Sequence, residues 1–128
     1  MQSQTFVLAA LLLLGCSDPA APDPEAFGAS YRIQPAPDPP ALSGQTLDVT
    51  LEYGGCRNNH EFELRSRATS SNSTDIWLRK TSPNEPCDML VVERRSFPVT
   101  APAGAVRLLG PERAAFILRA VTAGPADR

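Results

Sequence analysis

Apolar and polar residues alternate with a period of two through the middle of the chain. The alternation is clearest over residues 47–53, and it resumes over residues 60–64 after a Gly54-Gly55 break. Such alternation is typical of half-buried β-strands. Residues 89–92 (MLVV) form a continuous apolar run instead, which indicates a strand buried on both faces. Together these patterns predict six strands, at residues 47–53, 60–64, 75–79, 87–94, 106–109 and 116–121.

The segments between these strands predict turns and loops. Proline, glycine and asparagine separate most of the strands, and residues 66–73 (SRATSSNS) are interpreted as a polar connection. Residues 114–120 are rich enough in alanine and leucine to begin a helix, but Gly124-Pro125 closes the segment soon after, which favours a strand. Thirteen prolines argue against long helices anywhere in the chain.

These elements predict an all-β fold, a small antiparallel β-sandwich of about six or seven strands with one disulfide. The domain is expected to cover residues 27–124, with its best-defined part at 45–122. Tyr31 and Ile33 alternate with Arg32 near its start. This segment is either a first, edge strand of the sandwich or a short partner-binding segment within a longer linker.

The N-terminus differs sharply from the rest of the chain. Residues 6–14 (FVLAALLLL) are an apolar run of nine, too short to span a bilayer but typical of the central region of a signal peptide. The run ends in Leu13-Leu14-Gly15-Cys16, which resembles the lipobox of bacterial lipoproteins. Two features depart from that pattern: residues 1–5 contain no Lys or Arg, and Leu14 is larger than usual for its position. An ordinary secretory signal, or an apolar N-terminal helix, is the alternative.

The lipobox resemblance implies that residues 1–15 are a cleaved lipoprotein signal peptide and that the thiol of Cys16 carries a diacylglyceryl group. Residues 16–26 would then be the lipidated cysteine followed by a disordered Pro/Ala-rich tether. The implied location is the bacterial cell envelope, with acyl chains on Cys16 inserted in the membrane. Ser17 directly after the cysteine favours the outer membrane over the inner one, by resemblance to lipoprotein sorting.

Cys56 and Cys87 remain once Cys16 is assigned to the lipid. A folded region of roughly 75 to 95 residues has a small core, so a covalent cross-link is expected to support it. An oxidising compartment would allow the two cysteines to form a disulfide.

Charge and composition exclude some partners. The net charge is -2 and the isoelectric point is about 5.3, so the sequence as a whole gives no indication of nucleic-acid binding. No glycine-rich phosphate loop precedes a helix, and we expect no cofactor.

The segment from Leu47 to Phe97 resembles a group of small exported bacterial proteins and lipoproteins. The shared pattern is Gly-Gly-Cys, then His-x-Phe-x-Leu, then a second cysteine before an apolar strand. It matches Gly54, Gly55, Cys56, His60, Phe62, Leu64, Cys87 and residues 89–92. A second histidine that often precedes the second cysteine is missing, since residues 79–81 are Arg-Lys-Thr. No established activity comes with this resemblance, which supports the fold and the cysteine pair and implies nothing further.

Three functional hypotheses follow. Cys56, His60 and Cys87 could together hold Zn or Cu, because thiolates and imidazole suit these metals. A Cys–His pair could also act as an enzymatic nucleophile, although no catalytic signature surrounds it. The hypothesis we favour is a non-enzymatic, lipid-anchored domain with an envelope, binding or structural role and an unknown protein or envelope partner. In it Cys56–Cys87 is a structural disulfide, His60 caps the core, and Trp77 is either a core residue or an exposed binding surface.

Overall fold

The computed structural model describes residues 22–100 and 104–120, which form eight strands and two short 3-10 helices. The 3-10 helices cover Pro24–Phe27 and Pro111–Arg113. The strands are β1 Arg32–Ile33, β2 Ala41–Ser43, β3 Thr46–Gly54, β4 Phe62–Ser70, β5 Ser73–Lys80, β6 Leu90–Pro98, β7 Ala105–Leu109 and β8 Ala115–Arg119. No helix within these two ranges is long and apolar enough to cross a membrane.

The strands form two sheets, which confirms the all-β prediction. In the first sheet β3 pairs with β6 along one edge and with the short strands β1 and β2 along the other. The second sheet has the order β4-β5-β7-β8. Its β5–β7 pair is parallel, unlike the wholly antiparallel arrangement that was predicted. The chain crosses to the first sheet for β6 and returns for β7, so β7 runs in the same direction as β5.

The core lies between the sheets and follows the predicted alternation. Burial of each of its aliphatic side chains contributes about 1.5–3 kcal/mol. The first sheet supplies Leu47, Val49, Leu51 and Tyr53 from β3, and the second supplies Ile76, Leu78, Val106 and Leu108 from β5 and β7.

The segment before β1 belongs to the folded domain. The first 3-10 helix buries Phe27, whose ring meets Tyr31 edge-on at 6.5 Å between centroids. The Tyr31 hydroxyl donates to the carbonyl of Leu78 at 2.5 Å, and burial raises its pKa. The predicted tether therefore ends too late, because Pro24 to Ala26 are already in the helix. β1 pairs with β3, which confirms the edge-strand interpretation of the segment around Ile33.

The predicted polar connection at residues 66–73 is wrong. β4 continues to Ser70 and β5 begins at Ser73, so the two strands form a hairpin with a two-residue turn. Serine and threonine hydroxyls bond across this tip, Ser73 Oγ lying 2.6 Å from Thr69 Oγ1 and 2.8 Å from Ser70 Oγ. Both strands are polar on their two faces here, which hides the alternation that marks a strand.

The predicted burial of β6 on both faces is also wrong. Val91 points into the core, whereas Leu90 and Val92 face outward and are 65% and 51% exposed. The strand begins at Leu90 rather than at residue 87 and reaches Pro98. Among the described residues β6 pairs only with β3, and an edge strand tolerates a terminal proline. Likewise β4 begins at Phe62 and leaves His60 in the preceding loop.

Some predictions fall on residues outside the described ranges. These are the signal peptide at 1–15, the lipidated Cys16, the tether up to residue 21 and the chain from residue 121 onward.

We predict that Gly28→Ala destabilises the domain far more than Gly44→Ala. Both glycines have a positive φ, 73° and 59°. A Cβ at Gly28 would lie 2.1 Å from the carbonyl oxygen of Lys80, whereas a Cβ at Gly44 meets nothing within 4 Å. Strain plus overlap should lower the free energy of unfolding by about 3–5 kcal/mol at Gly28, against about 1–2 kcal/mol for the left-handed conformation alone at Gly44. Urea unfolding of both variants tests this, and equal losses would show that the N-terminal segment is not packed on β5.

Candidate functional site: the disulfide corner and the arginine face

Cys56 and Cys87 form the predicted disulfide, with their Cα atoms 5.0 Å apart. Cys56 lies in the loop from β3 to β4, and Cys87 lies in the loop from β5 to β6. Both loops cross between the sheets at the same end of the sandwich. The amide of Gly55 donates to the carbonyl of Met89 at 3.1 Å, so the β3–β6 pairing leads directly to the bond.

His60 is buried beside this disulfide. Its ring lies against the Tyr53 ring, tilted by 30° with 4.5 Å between centroids, and its Nε2 lies 2.7 Å from Glu85 Oε1. A Cβ at Gly55 would lie 3.0 Å from the ring, so a glycine there lets the ring pack against the backbone. The histidine thus caps the core as predicted, and its hydrogen-bond partner is the carboxylate of Glu85.

Three further charged residues meet at this corner. Lys80, the only lysine in the chain, is 2% exposed; its Nζ donates to the carbonyl of Ser82 at 2.6 Å and lies 5.2 Å from the centre of the Tyr53 ring. The Tyr53 hydroxyl donates to Glu93 Oε1 at 2.9 Å. Arg95 contacts Glu93 at 3.4 Å and donates to the carbonyl of His60. We name this group the disulfide-corner cluster: Tyr53, His60, Lys80, Glu85, Glu93 and Arg95.

Burial and pairing shift three pKa values in the cluster. Burial raises the pKa of Tyr53 and lowers the pKa of Lys80, because each charged form is costly away from water. The nearby Glu85 carboxylate opposes the shift at Lys80. The pKa of Glu85 is lowered, chiefly by its hydrogen bond with His60 and further by Arg57.

The geometry of the cluster favours a structural role over chemistry. Both sulfurs are committed to the disulfide, so Cys56 and Cys87 provide neither the thiol nucleophile nor the thiolate ligands of the alternative hypotheses. Cys56, His60 and Cys87 do come together, but as a cross-link beside a His–Glu pair. Within residues 22–100 and 104–120 no group of three or more His, Cys, Asp and Glu side chains is arranged to hold a metal ion. His60 is 4% exposed, and its buried Nδ1 has no hydrogen-bond partner in the described part of the chain.

Sequence analysis missed most of this cluster, although one signal was present. Period-two alternation along β5 places Ile76 and Leu78 inward, and the next position in that series is Lys80. A lysine on a core face is rare unless it is paired, so this position marks a buried polar site. Glu85, Glu93 and Arg95 gave no comparable signal, because only the fold brings them to the corner.

A second concentration of charge lies on the outer face of the β4-β5-β7-β8 sheet. Arg65 and Arg67 of β4, Arg79 of β5 and Arg107 of β7 share this face, as their registers show. Trp77 lies among them, with Arg65 as its direct neighbour across the strands and the Arg67 guanidinium 6.0 Å from the ring centre. We name this surface the arginine face: Arg65, Arg67, Arg79, Arg107 and Trp77.

Within the described strands β4, β5 and β7, Asp75 and Glu63 are the carboxylates on this face, so its arginines outnumber its acids although the chain is acidic. Asp75 is buried, accepts two hydrogen bonds from Arg107 at 3.0 and 2.9 Å, and lies 3.8 Å from Arg67. Glu63 contacts Arg65 at 3.2 Å. On these three strands four arginines stand against two carboxylates, whereas the whole chain carries a net charge of -2.

Trp77 is neither a fully buried core residue nor a fully exposed binding residue. Its ring packs against the core cluster and is half-buried, and its indole Nε1 is buried without a hydrogen-bond partner among the described residues. The side chain lies on the outer face of the sheet, with Arg65 and Arg67 as neighbours. On the same face Ile117 of β8, the cross-strand neighbour of Arg107, is 79% exposed.

The N-terminal segment runs along the end of this face. Arg79 donates to the carbonyl of Glu25 in the first 3-10 helix at 3.1 Å. A groove of about 780 Å³ separates that segment from the second 3-10 helix, and its walls include Phe27, Arg107 and Leu109. The chain therefore enters the domain next to the arginine face.

The chain matches no known protein family, no curated protein and no solved structure.

We predict that the double variant Cys56→Ser/Cys87→Ser loses much of the stability of the domain. The bond closes a loop with a sequence separation of 31, for which chain entropy gives about 3–4 kcal/mol. Each single variant should fold in severely reduced yield, and reduction of the parent should reproduce the loss. Urea unfolding measures it, and a double variant as stable as the oxidised parent would contradict the structural role.

We predict that Glu85 makes the domain less stable in acid. The folded state holds its pKa below the ordinary value of 4.5, so the unfolded chain takes up a proton first as the pH falls. Its contribution is complete above about pH 5 and is lost as the pH drops through the folded pKa. Unfolding of the parent and of Glu85→Gln at pH 7, 5, 4 and 3 tests this, with the exposed Glu63→Gln as control. The Glu85 variant should show a flatter dependence on pH, and a slope equal to that of the parent would contradict the assignment.

Proposed function

We propose that the chain is a bacterial lipoprotein whose disulfide-linked β-domain has a non-enzymatic binding or structural role in the cell envelope. The observation that carries the proposal is Leu13-Leu14-Gly15-Cys16 at the end of an apolar run of nine residues. The lipid on Cys16 would hold the domain at a membrane, with Ser17 favouring the outer one. The partner is an unknown protein or other envelope component.

Two features of the domain support this proposal. A disulfide at the joint between the sheets suits an exported protein, because disulfides persist in oxidising compartments. The first 3-10 helix begins only eight residues after Cys16, so the domain would lie near the membrane surface. The alternative, a periplasmic Zn or Cu protein using Cys56, His60 and Cys87, has less support because both sulfurs are bridged.

We predict that Cys16→Ala abolishes lipidation and membrane retention of the full chain expressed in a bacterium. Wild-type protein should incorporate labelled fatty acid, sediment with membranes and have an N-terminus that begins at Cys16. The Cys56→Ser/Cys87→Ser variant is the matched control, since it loses two cysteines but should keep the label. Equal labelling of Cys16→Ala, or a mature N-terminus elsewhere, would overturn the proposal. Purified protein with two alkylatable thiols and a stoichiometric metal ion would support the alternative.

A further inference from the structure

We infer that the arginine face is a docking surface for anionic phospholipid headgroups and holds the domain in one orientation on the membrane. The role in orientation rests on the proposed lipid anchor at Cys16, whereas the headgroup affinity is a property of the face itself.

The charge of the face complements a membrane surface. Arg65, Arg67, Arg79 and Arg107 lie on three neighbouring strands, so they fall within an area of roughly 10 by 15 Å. This span is comparable to the Debye length of about 8 Å at physiological ionic strength, so the arginines and the paired Asp75 and Glu63 carboxylates act together on an anionic surface, with the arginines in excess. Guanidinium groups also suit phosphate, because their donors form a planar fork that matches its oxygens.

The apolar residues on the face favour a bilayer over a soluble anion. Trp77 is half-buried among the arginines, and Ile117 extends into solvent beside Arg107. Tryptophan prefers the level of the headgroups, and arginine stems lie along apolar surface while their charged ends stay in water. A soluble polyanion would use the arginines but would give Ile117 no apolar environment.

The path of the chain brings this face to the lipid. The described chain begins at Pro22, beside the groove that Arg107 helps to line, and Arg79 holds Glu25 by its carbonyl. Six residue steps separate Cys16 from Pro22, and a chain of that length spans at most about 22 Å in any conformation. A lipid on Cys16 therefore keeps the arginine face within reach of the headgroups, and this confinement raises its effective concentration at the surface.

The test is binding of a chain that begins at Ser17 to lipid vesicles. This chain keeps every described residue and lacks both Cys16 and the apolar leader, so the result does not depend on lipidation. Trp77 is the only tryptophan in the chain, and its fluorescence reports on this face alone. We expect binding to vesicles containing phosphatidylglycerol but not to pure phosphatidylcholine vesicles, loss of binding at high salt, and quenching of Trp77 by lipids brominated on their acyl chains.

Matched variants locate the surface. Arg65→Gln/Arg79→Gln removes two charges of the face without touching the Arg107–Asp75 pair. Each lost arginine should weaken partitioning into anionic vesicles about fivefold, so the double variant should lose about 25-fold. Ile117→Gln should weaken partitioning and reduce the quenching. Arg32→Gln/Arg57→Gln removes two charges elsewhere, from side chains that are 66% and 80% exposed, and should change partitioning little.

The outcomes separate this inference from the proposed function. Equal binding to neutral and anionic vesicles, or equal losses in the two double variants, would overturn the docking surface even if Cys16 carries lipid. Arginine-dependent binding to long-chain polyphosphate without binding to vesicles would overturn the lipid and leave a soluble polyanion as the ligand. Vesicle binding by a chain whose Cys16 proves unmodified would keep the surface and overturn only the anchor.

Discussion

The rest of the domain depends on the disulfide between Cys56 and Cys87, which links the β3–β4 loop to the β5–β6 loop. The loop that it closes contains the whole β4–β5 hairpin, while the strands that flank this loop, β3 and β6, pair with each other in the opposite sheet. The disulfide therefore links the two loops that cross between the sheets. It lies just beyond the hydrogen bond from Gly55 to Met89, where the β3–β6 pairing ends. In a domain this small, a cross-link worth about 3–4 kcal/mol is comparable to the whole net stability.

The cross-link also explains how this corner tolerates buried polar groups. Lys80 and His60 are almost fully enclosed, and removing charged or polar groups from water costs several kcal/mol unless they are paired and hydrogen-bonded. Glu85 pairs with His60, and the Lys80 ammonium meets a carbonyl and the face of Tyr53. Such an arrangement works only if every partner is held in place, because a displaced Glu85 carboxylate would leave the buried Nε2 of His60 without its hydrogen-bond partner. The disulfide holds the two loops that carry His60 and Glu85, so stability gained through the covalent bond offsets the cost of the cluster.

The sequence predicted the fold class, the cysteine pair and the central strands because each has a local signal. Leu47, Val49 and Leu51 alternate with polar neighbours, and one face of β3 is buried in the core as that pattern requires. The prediction failed where both faces of a strand have the same polarity. Residues 66–70 are polar on both faces because the hairpin tip extends past the core, and Leu90 and Val92 are apolar on a face that is solvent-exposed in the isolated chain.

The candidate site was less predictable than the fold, because its residues are distant in sequence. Arg67 and Arg107 reach the same face only through the parallel β5–β7 pair, which no local pattern indicated. The overall charge of -2 hid the arginine face, since acidic residues elsewhere outweigh it. The position of the arginine face also decides which surface of the domain would point away from the membrane. The exposed side chains of Leu90 and Val92 lie on the outer side of the other sheet, beyond a core about 10 Å thick. A domain held by its arginine face would therefore turn this apolar strip of β6 away from the lipid, so that one side of the sandwich meets the membrane and the other faces the envelope.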